Sequence, residues 1–341
     1  MISNKLNSIL NKTNGLFVGL VFSVAIYSCG DSPKTPTSTD KTNNKLKVIK
    51  EPRNDFNADS AYQNIEKQLL FGYRIPGTIE HKKCSEWLFK SLSSSCDTAY
   101  FQSTSTETFD GAKIPIYNII GSFNPKAKKR LLLASHWDSR PYADEDANDP
   151  NKPVPGANDG GSGTGILLEL ARVLKNAEDK PEFGVDILFF DAEDLGKSQY
   201  PNSFCLGSQI WAKSPHLPNY NANEAILLDM VGGANAEFYW EGNSSQWGYN
   251  TLAHVWTIGQ ELGHGNYFIT KSTSPVIDDH FYVQKFSGIP MIDIIDYNSQ
   301  DGFADHWHTV NDNIQTIDKN TLHAVGSTLE HFIFNPSTIL K

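Results

Sequence analysis

The sequence predicts an α/β fold, a three-layer sandwich in which helices flank a central, mostly parallel (mixed) sheet. From about residue 45 to residue 341, short apolar runs alternate with helical stretches, and we find no linker or repeat between them. The apolar runs are continuous rather than alternating, as is typical of strands that are buried on both faces. Strands and helices that alternate along one chain favour a sheet covered on both sides.

The individual elements follow in chain order from these runs. The first predicted strand covers residues 116–120, and the buried central strands cover residues 131–134, 187–190, 226–228 and 291–295. Helices are predicted where apolar residues recur at helical spacing, at residues 63–70, 82–92, 163–174, 249–262 and 320–334. In folds of this kind, functional residues collect where strands end and loops begin.

Composition narrows the class of protein. Hydrophobic residues make up 39% of the 341 residues and charged residues 20%, which excludes a disordered chain and a coiled coil. The formal charge of −10 argues against a nucleic-acid partner, because phosphate binding needs a basic excess. Four cysteines are too few for a disulfide scaffold of this size. Cys84 and Cys96 could pair if their segments pack together, or remain free.

The first 28 residues are predicted to be a signal peptide and not part of the fold. Lys5 and Lys12 precede an apolar run, residues 16–27, that is too short to span a bilayer. The small residue Ser28 then precedes Cys29, which resembles a bacterial lipobox with Cys29 as the lipidated residue. We therefore expect an exported lipoprotein, anchored to a membrane and facing the periplasm or the cell surface. An ordinary secretory signal with an incidental cysteine is the alternative.

The remainder of the chain divides into a tether and one domain. Residues 29–44 are rich in Ser, Thr, Pro, Lys and Asn, and cannot bury enough apolar surface to offset their chain entropy. We predict a flexible tether there and a single catalytic α/β domain over residues 45–341. Within that domain, residues 144–149 are acidic and predict a solvated insertion more readily than a calcium loop. Trp240 and Trp247 could line a cleft or pack in the core.

Chemically unusual residues follow the predicted strands. Carboxylates and imidazoles come at each strand end or glycine-rich turn, namely His136, Asp138, Asp159, Glu193, Asp194, Asp229, Asp278, His280 and His308. A single residue of this kind is more often a helix cap or a solvated group. Five segments in succession that each carry such residues argue against coincidence. Carboxylate oxygen and imidazole nitrogen together suit zinc, and a catalytic zinc needs only three protein ligands. Adjacent carboxylates also allow one to bind metal while its neighbour carries protons.

This ordered set resembles the zinc aminopeptidase superfamily over residues 131–313. Within it, the sequence resembles the animal-type glutaminyl cyclases. The discriminating motifs are Asp278-Asp279-His280 followed by Gly288-Ile289-Pro290, and Trp307-His308-Thr309 followed by Asp312-Asn313. The residue before His308 is the most informative, because aminopeptidases more often carry a residue other than tryptophan there.

The resemblance implies a role for each matching residue. The zinc ligands would be Asp159, Asp194 and His308, and Glu193 would be the general acid and base. Asp229 and Asp278 would be buried acids that share a proton, and Trp307 would form an aromatic wall of the substrate pocket. Two departures stand out. Asp194 replaces the usual glutamate, and Ser135 replaces a cysteine, so the disulfide of the animal enzymes is absent.

The implied function is zinc-dependent cyclisation of N-terminal glutamine to pyroglutamate, with release of ammonia. The expected substrates are peptides or proteins with N-terminal glutamine, and the expected state is a monomer with one zinc per chain. A di-zinc aminopeptidase is the alternative, with His136 and Asp229 on a second ion and Asp159 as the bridge. A non-catalytic binding lipoprotein is the third reading, and the presence of Glu193 argues against it.

Overall fold

A six-stranded mixed sheet forms the centre of the computed structural model, which describes residues 53–200 and 202–341. The strands are β1 (Thr98–Glu107), β2 (Lys113–Phe123), β3 (Arg130–His136), β4 (Gly184–Phe190), β5 (Glu224–Asp229), β6 (Phe238–Trp240), β7 (Phe268–Ser272), β8 (Met291–Ile295), β9 (Tyr297–Asn298) and β10 (Gly302–Phe303). The sheet order is β1-β2-β4-β3-β5-β8. Strands β4, β3, β5 and β8 are parallel, whereas β1 and β2 are antiparallel to their neighbours.

Helices cover both faces of this sheet. They are α1 (Ala58–Leu69), α2 (Ile79–Ser93), α3 (Gly161–Asn176), α4 (Leu206–Lys213), α5 (Gly242–Trp247), α6 (Tyr249–Glu261), α7 (Asp279–Ser287) and α8 (Lys319–Phe334), with a short 3₁₀ helix at Ile314–Thr316. Leu131 and Leu133 of β3 pack into the core beneath α1, α2, α3 and α8. Leu132 and Ala134 point to the opposite face, towards α4 and α7. The three-layer sandwich with a mixed sheet is therefore confirmed.

The continuous apolar runs have a direct physical cause. Because successive side chains of a strand point to opposite faces, a strand covered on both sides needs apolar residues at every position. All seven residues of β3 and all seven of β4 are buried. The predicted central strands accordingly match β3, β4, β5 and β8, and the earlier predicted strand lies within β2.

Strand β1 and helices α4 and α7 are absent from the sequence prediction, because their sequences carry little periodic apolar signal. Strand β1 reads TAYFQSTSTE and lies half exposed at the sheet edge, so its sequence carries little apolar signal. Helix α4 is short, with eight residues, and follows Cys205, whose backbone is left-handed with φ 56°. Helix α7 begins immediately after Asp278, inside a segment whose acidic residues suggest a loop. Short polar elements of this kind are defined by tertiary contacts more than by periodicity.

The start of α3 lies against the sheet without intervening side chains. A methyl group at Gly163 would come within 2.5 Å of the Leu228 carbonyl oxygen and would also clash with Ser135 Oγ. Leu228 belongs to β5 and Ser135 to β3, so α3 can approach both strands only because Gly163 has no side chain. This contact fixes the glycine-rich turn that precedes α3, including Asp159.

The described residues all belong to one compact unit. The domain boundary predicted at residue 45, the signal peptide 1–28, the tether 29–44 and Cys29 lie outside the described residues. Within the described part of the chain, Cys84, Cys96 and Cys205 are free thiols, so Cys84 and Cys96 do not pair. No helix among these residues is long and apolar enough to cross a membrane.

Candidate active site

The carboxyl ends of the parallel strands surround a cavity of about 440 Å³. His136 ends β3, Asp229 ends β5, and Glu193 and Asp194 follow β4 closely. The cavity wall contains seven of the residues predicted from sequence, namely Asp159, Glu193, Asp194, Asp229, Asp278, Trp307 and His308. The eighth, His136, contacts two of these residues, Asp159 and Asp229. The structure therefore brings all eight together, as expected where parallel strands end at one edge of a sheet.

Asp159, Asp194 and His308 form the first candidate metal centre. One potential ligand atom from each lies within 4.8 Å of the other two. His308 Nε2 is 3.2 Å from Asp194 Oδ1 and 3.9 Å from Asp159 Oδ2. Asp194 Oδ2 is buried and has no hydrogen-bond partner among the described residues. Two carboxylates, one imidazole and an unpartnered buried oxygen fit a zinc ion with an open coordination position.

A second candidate group shares Asp159. His136 Nε2 lies 2.9 Å from Asp159 Oδ1 and 3.1 Å from Asp229 Oδ1, while His136 Nδ1 lies 3.3 Å from Asp138 Oδ1. Burial alone would lower the pKa of His136, but the hydrogen bonds with these three carboxylates raise it well above its ordinary value. His136, Asp159 and Asp229 each offer a ligand atom within 4.8 Å of the other two, so they form a second candidate metal group.

Backbone hydrogen bonds hold the candidate ligands in place. Asp138 accepts the backbone N–H groups of Glu193 at 3.0 Å and Asp194 at 3.2 Å. Asp312 accepts that of Asp159 at 3.1 Å, and burial raises the pKa of Asp312 to about 7. One buried carboxylate therefore orients each acidic segment without contributing to the ligand set.

Left-handed backbone conformations occur beside these residues. His308 itself has φ 53°, Ala192 before Glu193 has φ 52°, and Met230 after Asp229 has φ 49°. Such conformations are unfavourable for residues other than glycine, and they persist where the surrounding structure imposes them. Their concentration here indicates that tertiary contacts set the directions of the site side chains.

Glu193 lies between the first candidate metal centre and a group of buried acids. Its Oε1 accepts a hydrogen bond from the Cys205 thiol at 3.1 Å, and its backbone carbonyl accepts from Cys205 N at 2.8 Å. Burial raises the pKa of Glu193 well above its ordinary value, and the charges of Asp194, Asp278 and Asp279 add to that rise. A carboxyl group with a raised pKa can exchange protons near neutral pH.

Asp229 and Asp278, the predicted acid pair, belong to a larger group of buried acids. Asp229 bonds to His136, and its negative charge, after burial, raises the pKa of Asp278 to about 6. Asp293, within β8, is a further buried acid that the sequence does not single out. Burial and the charge of Asp278 raise the pKa of Asp293 well above its ordinary value. The buried acids thus form a cluster of at least three residues.

Arg140 and Asp144 are site residues that the sequence does not reveal. Arg140 donates to Asp194 Oδ1 at 2.8 Å, and Asp144 Oδ1 lies 3.4 Å from His308 Nδ1. Asp144 is about half exposed, as expected of a solvated insertion over residues 144–149, but it also contacts a proposed zinc ligand. Glu145 N donates to the His308 carbonyl oxygen at 3.2 Å, and this contact draws the segment into the site. The only sequence signal is the proximity of Arg140 to His136 and Asp138.

Aromatic rings form one side of the cavity. Trp307 stacks on His308 with ring centroids 3.7 Å apart and on Phe303 at 4.4 Å. Phe204 and Ser198 contribute to the wall from the segment after Asp194. Within the described residues, Trp240 and Trp247 are not part of this wall, and Trp240 packs against the core. An aromatic wall beside a polar floor suits a substrate with an extended, partly apolar side chain.

Comparison with known proteins gives consistent similarities. The model of peptidase family M28 matches residues 118–333. Glutaminyl-peptide cyclotransferase from Bos taurus is 28% identical over 243 residues, which cover 63% of this chain and 65% of the bovine protein. The chain thus spans slightly less than two thirds of that relative.

Solved bacterial structures are more similar. Porphyromonas gingivalis glutaminyl cyclase has a TM-score of 0.81 at 46% identity, over 83% of this chain and 99% of that one. A Zn-dependent exopeptidase from Parabacteroides distasonis has a TM-score of 0.80, with the same identity and coverage. The family model covers more than half of the chain and all of the candidate ligands, so the protein belongs to peptidase family M28.

Proposed function

We propose that this protein is a zinc-dependent glutaminyl cyclase that converts N-terminal glutamine of peptides or proteins to pyroglutamate. The observation that carries the proposal is the 46% identity to Porphyromonas gingivalis glutaminyl cyclase over 99% of that chain. The site geometry agrees with it, because a proton-carrying carboxyl group, a candidate zinc centre and an aromatic wall meet in one cavity. Each of these parts has a role in the reaction.

The reaction is intramolecular and balances without water. The α-amine nitrogen of the substrate forms a bond to the γ-carbonyl carbon of the same glutamine residue. The bond from that carbon to the amide nitrogen then breaks, and ammonia leaves. The cavity can hold the glutamine side chain against Trp307 and Phe303, which brings the amine and carbonyl carbon together.

Glu193 is the proposed proton carrier. It takes a proton from the attacking amine and delivers it to the departing nitrogen, a role that requires a pKa closer to neutrality than that of an ordinary glutamate. The Cys205 thiol holds one oxygen of this carboxyl group. Asp229 and Asp278 line the same cavity, where a protonated carboxyl group can hydrogen-bond the substrate nitrogen.

Asp159, Asp194 and His308 are the proposed ligands of one zinc ion per chain. When bound there, zinc supplies positive charge that polarises the γ-carbonyl oxygen and stabilises the oxyanion. A single ion is sufficient because cyclisation needs no activated water.

A di-zinc aminopeptidase is the second candidate. It is favoured by one observation, that His136, Asp159 and Asp229 also have ligand atoms within 4.8 Å of one another. One experiment separates the two activities. A peptide that begins with glutamine is incubated with the purified protein, and the mass of the product is measured by mass spectrometry. Loss of ammonia supports the cyclase, whereas loss of a whole residue overturns it in favour of the peptidase.

We also propose that the protein is an exported lipoprotein and a monomer. Residues 1–28 serve as the signal peptide, Cys29 carries the lipid, residues 29–44 are a tether, and residues 45–341 form the catalytic domain. A Cys29→Ala variant should move from the membrane to the soluble fraction outside the cytoplasm. Unchanged fractionation of that variant would contradict the lipid anchor.

A further inference from the structure

Four charged side chains form a closed ring beside the candidate zinc centre. Arg140 Nη2 is 2.6 Å from Asp144 Oδ2, and Arg140 Nη1 is 2.8 Å from Asp194 Oδ1. His308 completes the ring, with Nε2 3.2 Å from Asp194 Oδ1 and Nδ1 3.4 Å from Asp144 Oδ1. We call these four residues the ligand ring. Two of its members, Asp194 and His308, are proposed ligands, and Arg140 and Asp144 are outside the proposed ligand set.

The burial of Arg140 requires an explanation that the ring supplies. Its side chain is only 3% exposed, and a buried guanidinium is strongly destabilising unless carboxylates compensate its charge. Asp144 binds it through two oxygens, with a second contact of 2.6 Å at Nε, and Asp194 binds it from the other side. Arg140 Nη1 also donates to the backbone carbonyl of Asp194 at 3.0 Å. Arg140 is therefore fixed to both the side chain and the backbone of Asp194.

The contacts of the ring fix the orientation of both proposed ligands. Asp194 Oδ1 contacts both Arg140 and His308 Nε2, and Oδ2 is the buried oxygen without a hydrogen-bond partner in the described structure. His308 Nδ1 faces Asp144, which selects the tautomer that leaves Nε2 directed at Asp159 and Asp194. Hydrogen-bonded partners of this kind orient metal ligands and raise their basicity.

We propose that Arg140 and Asp144 are positioning residues that would orient the Asp194 carboxylate and the His308 imidazole for zinc, since Arg140 holds Asp194 through Oδ1 and Asp144 faces His308 through Nδ1. Arg140 would hold the Asp194 carboxylate in the cavity wall, through its contacts with Oδ1 and with the backbone carbonyl of Asp194. Asp144 holds the imidazole plane. This inference rests on the proposed zinc centre and is independent of which reaction that centre performs.

The test is a measurement of zinc affinity in purified variants by competition with a chromophoric chelator. Arg140→Lys keeps the positive charge but loses the planar fork, and Asp144→Ala removes the partner of His308. Both variants should bind zinc about 10–100-fold more weakly than the unmodified chain. Asp149→Ala is the matched control, since Asp149 lies in the same segment and its side chain pairs with Lys152 at 2.9 Å on the surface. Its zinc affinity should be unchanged.

A second readout separates positioning from general destabilisation. With Co²⁺ in place of zinc, the visible absorption spectrum should change in Arg140→Lys and Asp144→Ala and stay the same in Asp149→Ala. Zinc affinity and Co²⁺ spectra equal to those of the unmodified chain would overturn the proposal. The outcome is distinguishable from failure of the proposed function, because a protein without cyclase activity would still give these metal-binding results.

Discussion

Strand β4 joins a single buried acid near its start to a buried group of acids beyond its end, and their charges are compensated in different ways. Near its start, Asp186 accepts hydrogen bonds from Arg130 at 2.6 Å through two nitrogens, from Tyr220 at 2.7 Å and from Ser122 at 2.5 Å. Beyond its end, Glu193 and Asp194 lie among other carboxylates, and Asp194 Oδ2 lacks a hydrogen-bond partner in the part of the chain that the structure describes. The same residue types are therefore fully paired at one end and incompletely paired at the other.

This difference in pairing indicates which buried acids stabilise the fold and which can take part in the reaction. A buried carboxylate with its own cation and hydroxyl donors stabilises one conformation and has no capacity left for a ligand. Carboxylates that crowd together raise one another's pKa and attract protons or a metal ion. Variants at the two ends of β4 should consequently affect different measurable quantities.

The largest expected effect is on turnover, at the incompletely paired end. Glu193→Gln removes the proton carrier but keeps the shape of the side chain. The turnover number with a glutamine peptide should fall by about 10²–10⁴-fold, while zinc content stays at the level of the unmodified protein. Ammonia release and metal analysis of the same sample check both statements. A variant that retains full turnover would show that Glu193 is not the proton carrier.

The next effect is on stability, at the fully paired end. Arg130→Met leaves Asp186 buried without its cation, so the free energy of unfolding should fall by about 3–5 kcal/mol. Turnover per folded molecule should stay the same, because Asp186 lies far along β4 from the site. Chemical denaturation measures the first quantity, and Lys319→Met, which breaks an exposed pair with Asp59, is the control without a measurable change. An equal loss of unfolding free energy in Arg130→Met and Lys319→Met would contradict a special role for the buried pair.

A pH effect should also arise at the fully paired end. Burial lowers the pKa of His216 from 6.5 to about 4, and its Nδ1 accepts a hydrogen bond from Trp211 Nε1 at 3.2 Å. Between pH 6.5 and 4 the unfolded chain binds a proton that the folded chain does not bind, so stability falls as the pH falls. His216→Gln should lose part of this dependence, on the order of 1–3 kcal/mol. Chemical denaturation of both proteins at pH 7 and pH 4.5 measures this loss of unfolding free energy. An equal loss in the variant and the unmodified protein would contradict the prediction.

The smallest effect concerns the hydrogen bond between Cys205 and Glu193. Cys205→Ala removes a donor to Glu193 Oε1, and a bond worth about 1 kcal/mol corresponds to roughly a fivefold fall in turnover number. The Michaelis constant should change little, and Cys205→Ser should recover part of the rate because it restores a donor. Cys96→Ala, at a half-buried thiol elsewhere, is the control. A fall that is identical in the serine and alanine variants would argue against a role for the hydrogen bond.

The sequence predicts the parts of the site that depend on strand ends. His136, Asp159, Asp194 and His308 come together because parallel strands present their carboxyl ends at one edge, and that rule is readable from periodicity. Arg140 and Asp144 belong to a segment without periodicity, and its path depends on contacts with distant His308. Asp293 is hidden from sequence reasoning for a different reason, since it stands within an apolar strand and meets Asp278 only in the folded chain.

Gly163 has no reactive group, but it controls the position of a proposed zinc ligand. Every substitution there adds at least one carbon atom, which would collide with the Leu228 carbonyl oxygen and push α3 away from β3 and β5. The displaced helix would carry the turn that contains Asp159 with it. In a saturation mutagenesis screen, Gly163 should therefore tolerate as few replacements as the proposed ligands. Natural variants at this position would be read as inactivating even though the residue has no reactive group.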